Sequence, residues 1–270
     1  MAIITISRGS FSYGKKIAEE VAKRLNYKII SREVILEASK DFNVPEAKLL
    51  NAIANPISFF ERFSYKRERY IAYIEAEILK HLKEDNIIYH GFAGHFFVRD
   101  IPHAFKVRII ANLDERVKLA IKEKNMSEKE AIKFIKGLDE ARKKWSLQLY
   151  GIDTNDPSLY DMVIHIDKLK VENAVNIICD VVKSGIFDAT PESQQIIEDK
   201  ALAAELKAIL VDFKPDVEVS CKKGIVTIKT TYPVQLDDST LAEKIKEKCM
   251  KNPKVKEVKV EILPFTIYER

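Results

Sequence analysis

Cysteine is scarce in this chain: Cys179, Cys221 and Cys249 are three thiols in 270 residues, far apart and without a Cys-x-x-Cys pair. That excludes a disulfide framework, which needs paired thiols, and a zinc knuckle, which needs closely spaced ones. Buried free thiols are the reading that is left. Long apolar runs are missing too. No segment approaches the roughly 20 residues of a membrane-spanning helix, and the opening MAIITISRGS lacks both a basic flank and more than a very short apolar stretch. The expected location is the cytoplasm. Blocks of like charge are also absent: 45 basic residues face 41 acidic ones, for a formal net charge of +4, which argues against indiscriminate nucleic-acid binding.

What is present begins at Ile3. The stretch IITISRGSFSYGKKIAEEVAKRL is an apolar run, a loop with two glycines, and an amphipathic helix carrying Ile17, Ala18, Val21, Ala22 and Leu25 on one face. Gly9, Gly14 and Lys15 satisfy G-x-x-x-x-G-K in the strand-loop-helix context that a phosphate-binding loop requires. Such a loop aims unpaired backbone N–H groups and the positive end of the helix dipole at one point, where anions collect. Arg8 and Lys16 flank it as further phosphate-binding candidates. After the lysine, however, a Mg²⁺-using loop carries a hydroxyl, and here the residue is Lys16. Mg²⁺ would then be held by substrate oxygens and water, with no clear protein ligand, or the loop binds phosphate without chemistry.

The rest of the first two-thirds alternates strand and helix, which predicts an α/β fold: a parallel sheet flanked by helices. Arg32 follows the strand Tyr27 to Ile30, at a strand end where ligands of α/β sheets sit. A helix is expected from Phe59 to Leu82, with Arg62, Lys66, Arg67 and Arg69 either facing a nucleotide or forming a solvated face. His90 and His95 are five apart, a spacing that does not make a metal pair on one helix. Arg108 interrupts an apolar strand, and Ser127 to Glu130 is a capping box that starts a helix. In that helix Arg142 falls on the apolar stripe, where it needs Asp139 or a phosphate to balance it.

Taken in order, these pieces resemble the cytidylate kinase-like family of phosphate-loop proteins. The resemblance runs from Ile3 to about Val182 and rests on ISR with its loop, Ser31-Arg32-Glu33, Arg99-Asp100, the VRI strand, Asp114-Glu115-Arg116, Asp139 with Arg142, Tyr150-Gly151, and Leu159-Tyr160-Asp161 to Asp167. It implies ATP at the loop, an acceptor nucleotide beside it, and a lid helix bringing arginines over the transferred phosphoryl group. By position Lys15, Arg116 and Arg142 would be catalytic, while Arg32, Arg99 and Arg108 would lie toward the acceptor. Where these relatives often have Gly-Arg-Gly after the third strand, this chain has Gly91-Phe92-Ala93.

Residues 1–184 are thus expected to form a kinase-like domain, 185–194 a linker, and 195–270 a second unit. The latter reads helix, strand, Lys-Lys-Gly turn, strand, helix, strand, with Gly224-Ile225-Val226-Thr227-Ile228 after the turn, and resembles a BON domain, a small module that binds a ligand, a protein or a membrane surface. Two functions stay open: phosphoryl transfer from ATP to a nucleotide-like acceptor, regulated or localised by the C-terminal unit, or a non-catalytic nucleotide sensor that signals through it.

Overall fold

Residues Ile3–Arg8 form β1, and their alternation gives the protein two hydrophobic faces. Ile3 enters one buried cluster while Ile4 and Ile6 enter another, because successive side chains leave a strand on opposite sides. A strand covered on both sides needs apolar residues at every position, and IITI supplies nearly that. In the computed structural model, which describes residues 2–31, 33–49, 66–91, 94–231 and 238–263, β1 is the middle of a five-stranded sheet. Its companions are β2 (Lys28–Ile30), β3 (Ile87–Tyr89), β4 (Ala104–Ala111) and β5 (Met162–Ile166), all parallel, in the order β2-β3-β1-β4-β5. The α/β fold with helices on both faces is the one expected.

Among the described residues seven helices serve this sheet: α1 (Gly14–Leu25), α2 (Glu33–Asp41), α3 (Lys66–Leu82), α4 (Gly94–Phe97), α5 (Leu113–Lys124), α6 (Glu128–Tyr150) and α7 (Val171–Lys183). Ile17 and Val21 of α1 join Val175 and Ile178 of α7 over one face. Val34 and Ile35 of α2 join Ile78 and Leu82 of α3 over the other. Helices α5 and α6 make a hairpin with its own small cluster of Val117, Ala120, Ala131 and Ile135. The capping box is formed as expected: Ser127 Oγ accepts from the Glu130 N–H, and Glu130 Oε2 accepts from the Ser127 N–H at 2.8 Å.

The C-terminal unit has the expected element order: α8 (Pro191–Leu210), β6 (Glu218–Lys222), β7 (Ile225–Thr231), α9 (Asp238–Met250) and β8 (Glu257–Leu263). Its sheet runs β6-β7-β8, antiparallel then parallel. Helix α8 starts at Pro191 rather than near Gln195, since Thr190 caps it, Oγ1 accepting from the Ser193 N–H at 3.1 Å, and proline suits the first helical position. Ala201, Leu202, Ala203 and Ala204 are all buried, because α8 packs on α3 on one side and on the small sheet on the other. Ala72, Leu79, Ile197, Ala204, Val226 and Ile228 consequently belong to one cluster. Tyr73 Oη donates to Asp212 Oδ1 at 2.5 Å, and Arg69 pairs with the same carboxylate at 3.2 Å. Arg69 therefore faces the C-terminal unit and not a nucleotide. Phe59, Arg62 and Phe63 of the expected helix lie outside the described residues.

Lys223 and Gly224 join β6 to β7 with φ of 52° and 83°, the two positive values that a type I′ hairpin turn requires. A Cβ on Gly224 would stand 2.8 Å from the Lys254 carbonyl oxygen, a backbone atom that cannot swing away. Gly224→Ala is expected to destabilise the protein by about 1–3 kcal/mol, measured by urea unfolding. An unchanged midpoint would mean that the turn does not constrain the small sheet.

Candidate active site

The loop after β1 is held by its own backbone. The Gly9 N–H donates to the Ile109 carbonyl at 3.0 Å, and Ser12 Oγ donates to the carbonyls of Gly9 and Ile109 at 2.9 and 3.0 Å. Phe11 and Tyr13 have φ of 56° and 67°, left-handed backbone that non-glycine residues adopt only when their surroundings hold them there. The holding is visible: the Phe11 ring lies 6.0 Å from that of Phe134 and packs on the α5–α6 cluster, while Tyr13 packs against the core beneath α1. Gly14 lets the helix start close to β1, where a Cβ would come within 2.8 Å of the Arg8 Cβ. No side chain caps α1, so its first N–H groups face the loop without a helical partner. Ser10 Oγ is buried and has no hydrogen-bond partner among the described residues. An orphaned hydroxyl and open amides at a helix start fit an anion, specifically phosphate oxygens.

Beside the loop, at the C-terminal ends of β1, β3 and β4, lies a cleft of about 420 Å³. This is where open parallel sheets bind ligands. Four arginines line it, Arg8, Arg108, Arg116 and Arg142, against one acid among the described lining residues, Asp139. Arg142 Nη1 donates to the Arg8 carbonyl at 3.1 Å. Its pKa is pushed down to about 10, first by burial and then by Arg8, with Arg116 and Arg108 also lowering it and Asp139 opposing them. Burial also holds the Arg8 guanidinium below its ordinary value. Asp139 pairs with Arg116 rather than Arg142 and accepts from the Ser10 N–H at 3.3 Å, so this carboxylate occupies one amide of the loop. Arg116 Nε also donates to the Ser10 carbonyl at 2.6 Å. Four cations around one carboxylate make a site short of negative charge, and a polyanionic ligand supplies it.

The far wall is aromatic and neutral. Tyr160 Oη accepts from Arg108 Nη1 at 3.0 Å and donates to the Thr154 carbonyl at 3.0 Å, with His95 Nε2 at 3.4 Å. Arg108 Nη2 donates to Asn155 Oδ1 at 2.7 Å, so this buried guanidinium is aimed by neutral groups. Phe96, Trp145 and His90 complete the lining. Burial, then Arg8 and Lys15, push His90 down to about 4; burial, then Arg108 and Lys106, push His95 down to about 3. Both rings are neutral near pH 7, suited to hydrogen bonding and not to charge.

Of the expected site residues, Arg8, Gly9, Arg108, Arg116 and Arg142 line the cleft. Lys15 does not: its side chain is 64% exposed and pairs with Glu19 at 3.7 Å. Lys16 lies in a separate groove with Glu20, Glu115, Asp167 and Lys170, away from the arginines. Arg99 is exposed and outside the cleft lining, and Arg32 and Phe92 lie outside the described residues. Sequence reasoning did not find Asn155 or Trp145 as cleft residues, nor Tyr160 as the group behind the wall that holds Arg108. A hydroxyl or amide at one position carries no periodic signal, and tryptophan on an apolar stripe reads as core.

Comparison with known proteins gives a consistent likeness. A family model described as "Cytidylate kinase-like family" matches residues 3–168. The chain is 24% identical to a cytidylate kinase of Pyrobaculum islandicum over 67% of its own length and 93% of that protein's, and 28% identical to one of Sulfolobus acidocaldarius over 66% and 93%. In three dimensions it is similar to an uncharacterised protein of Eubacterium ventriosum, with a TM-score of 0.52 and 23% identity over 68% of this chain and 99% of that one. That last likeness shows the fold.

The two cleft histidines make stability depend on pH. An unfolded histidine takes a proton near pH 6.5, whereas His90 and His95 in the native protein wait until about 4 and about 3. Their contribution is therefore complete above about pH 6.5 and lost as the pH falls toward those native values. The loss amounts to up to about 1.4 kcal/mol per pH unit for each histidine. Urea unfolding between pH 7 and 4.5 should show a shallower decline in a His90→Gln/His95→Gln variant than in the unmodified protein. Parallel curves would refute the assignment.

Proposed function

Because the chain belongs to the cytidylate kinase-like family over residues 3–168, we propose that it transfers a phosphoryl group from ATP to a nucleotide-like acceptor, in the cytoplasm. The observation that carries this reading is the surplus of arginine in one cleft beside an anion-ready loop. Phosphoryl transfer asks little of a protein beyond positioning and positive charge, because the transition state spreads negative charge over the transferred oxygens.

In this reading the amides at the start of α1 and Ser10 Oγ hold the donor phosphates. Arg8, Arg116 and Arg142 face the transferred group, and their mutual repulsion is relieved as it arrives. Lys15 stands on the first turn of α1 with only a weak surface contact to Glu19, so it is free to turn to the outer phosphates. Arg108, aimed by Tyr160 and Asn155, takes the acceptor, and the aromatic wall of Phe96 and Trp145 suits a base; for Arg32 and Arg99 an acceptor-side role rests on the family resemblance alone. Mg²⁺ bound with the nucleotide would supply neutralisation of phosphate charge. The residue after Lys15 is Lys16, which offers no hydroxyl and lies in another groove, so the ligands of the ion would be phosphate oxygens and water.

We read residues 1–184 as the catalytic unit and 195–270 as a BON-like unit that regulates or localises it. The packing of α8 on α3 supports a regulatory role, since α3 covers the sheet face nearest the acceptor side. A second reading, a nucleotide sensor without turnover, is favoured by one observation: Asp139 already occupies the Ser10 amide and Arg116.

Arg142→Ala should lower kcat by about 10²–10³-fold, since it removes a charge aimed at the transition state, while leaving the far-ultraviolet circular dichroism unchanged. The assay is ATP consumption with a panel of nucleoside monophosphates, with Mg²⁺ and with chelator. Mg²⁺-dependent transfer by the unmodified protein would remove the sensor reading. Metal-indifferent nucleotide binding with no turnover on any acceptor would remove the kinase reading.

A further inference from the structure

Away from the cleft, between α2 and α3, three metal-capable side chains converge. Glu77 and His81 share one face of α3 at i, i+4 spacing, and Glu37 meets them from α2. His81 Nε2 is 2.6 Å from Glu37 Oε2 and 3.5 Å from Glu77 Oε1, and one donor atom from each residue lies within 4.8 Å of the other two. Glu77 is 2% exposed, and its Oε1 accepts no hydrogen bond of normal geometry; its neighbours are His81 and, at 2.9 Å, Lys80 Nζ. His81 Nδ1 is buried and also without a partner among the described residues. None of these residues lines the arginine cleft.

We propose that Glu37, Glu77 and His81 form a binding site for a divalent ion of the zinc class, one that straps α2 to α3. The donor set of one imidazole and two carboxylates suits Zn²⁺, Co²⁺ or Ni²⁺, whereas an all-oxygen set would suit Mg²⁺ or Ca²⁺. Two donors one helical turn apart with a third from a neighbouring element is how helices present metal ligands. Metal–ligand lengths near 2.0–2.1 Å put tetrahedral donors about 3.4 Å apart, which the His81–Glu77 separation already matches. The shorter His81–Glu37 contact is the hydrogen bond that the ion would replace. Charge points the same way. When the imidazole binds a metal it is neutral, and the three carboxylates of Glu37, Glu77 and Asp41 then face Lys80 and, at Asp41, Lys40, so that a divalent cation adds positive charge the cluster lacks. Lys80 is 53% exposed and holds Asp41 at 3.0 Å, so it can leave Glu77 without losing its other partner. Three protein ligands leave the fourth position to water.

The full chain, freed of metal with chelator and dialysed without nucleotide, should be titrated with Zn²⁺ by calorimetry and with Co²⁺ by visible absorption. The expected result is one saturable ion at this site and a rise in thermal midpoint with Zn²⁺. His81→Ala and Glu37→Gln should each weaken that binding by at least about tenfold and abolish the thermal shift. Glu37 is at the surface, so its amide isostere tests the site even if His81→Ala perturbs folding. No saturable binding would overturn the proposal and leave His81 as a member of an ion-pair network. Binding that both variants leave unchanged would assign the ion to other groups, and equal affinity for Mg²⁺ would overturn the zinc-class assignment.

Discussion

The constraint on which the site depends is the crowding of four guanidinium groups around one carboxylate. Arg8, Arg108, Arg116 and Arg142 come from β1, β4, α5 and α6, and only Arg116 has a carboxylate partner among the described residues that line the cleft. Burial in company of like charge is costly, which is why Arg142 is pushed down to about 10. The cost is tolerated because carbonyls and neutral hydroxyls accept the N–H groups: Arg8 and Ser10 offer carbonyls, Tyr160 a phenol, Asn155 an amide. Such an arrangement holds the positive charge in place before a ligand arrives. Preorganised charge needs no rearrangement when negative charge develops, and that is the physical basis of its catalytic value.

The phosphate loop is built by an unusual route. Left-handed backbone at Phe11 and Tyr13 stores strain that glycine would not. The strain is offset by packing, with Phe11 seated on the α5–α6 hairpin and Tyr13 on the core under α1. Loop conformation and hairpin position are coupled as a result. Asp139 adds a polar link between the same two elements through the Ser10 N–H. Movement of the hairpin would therefore disturb the loop through both an aromatic contact and a hydrogen bond.

The C-terminal unit is joined to the large sheet through a helix that is buried all round over one turn, Ala201 to Ala204. Alanines at 201, 203 and 204 with Leu202 let α8 approach α3 and the small sheet at once. Each buried methylene contributes about 0.8 kcal/mol, so a helix buried on two sides contributes to both neighbours. The Arg69 pair with Asp212 orients that packing more than it strengthens it, since an exposed ion pair is worth about 0–1 kcal/mol.

Much of this was legible in the amino-acid order. The parallel sheet, the loop before α1, the capping box at Ser127 and the element order of the C-terminal unit all follow from local rules: periodicity, capping and turn chemistry act over a few residues and leave a pattern in the chain. Arg108 and Arg142 stood out because a charge on an apolar stripe breaks such a pattern. The start of α8 is less legible, because Pro191, which with Gly185 marks a linker in the 185–194 stretch, serves equally as the first residue of a helix capped by Thr190. Tertiary structure decided the rest. That Asp139 takes Arg116 and a loop amide instead of Arg142, that Lys16 faces an acidic groove, that Tyr89 fills the space over Gly91 and Gly94, and that Glu37 meets Glu77 and His81 are all contacts between distant segments. Pairings of that kind depend on which elements pack together and at what angle, and a one-dimensional pattern carries no record of either.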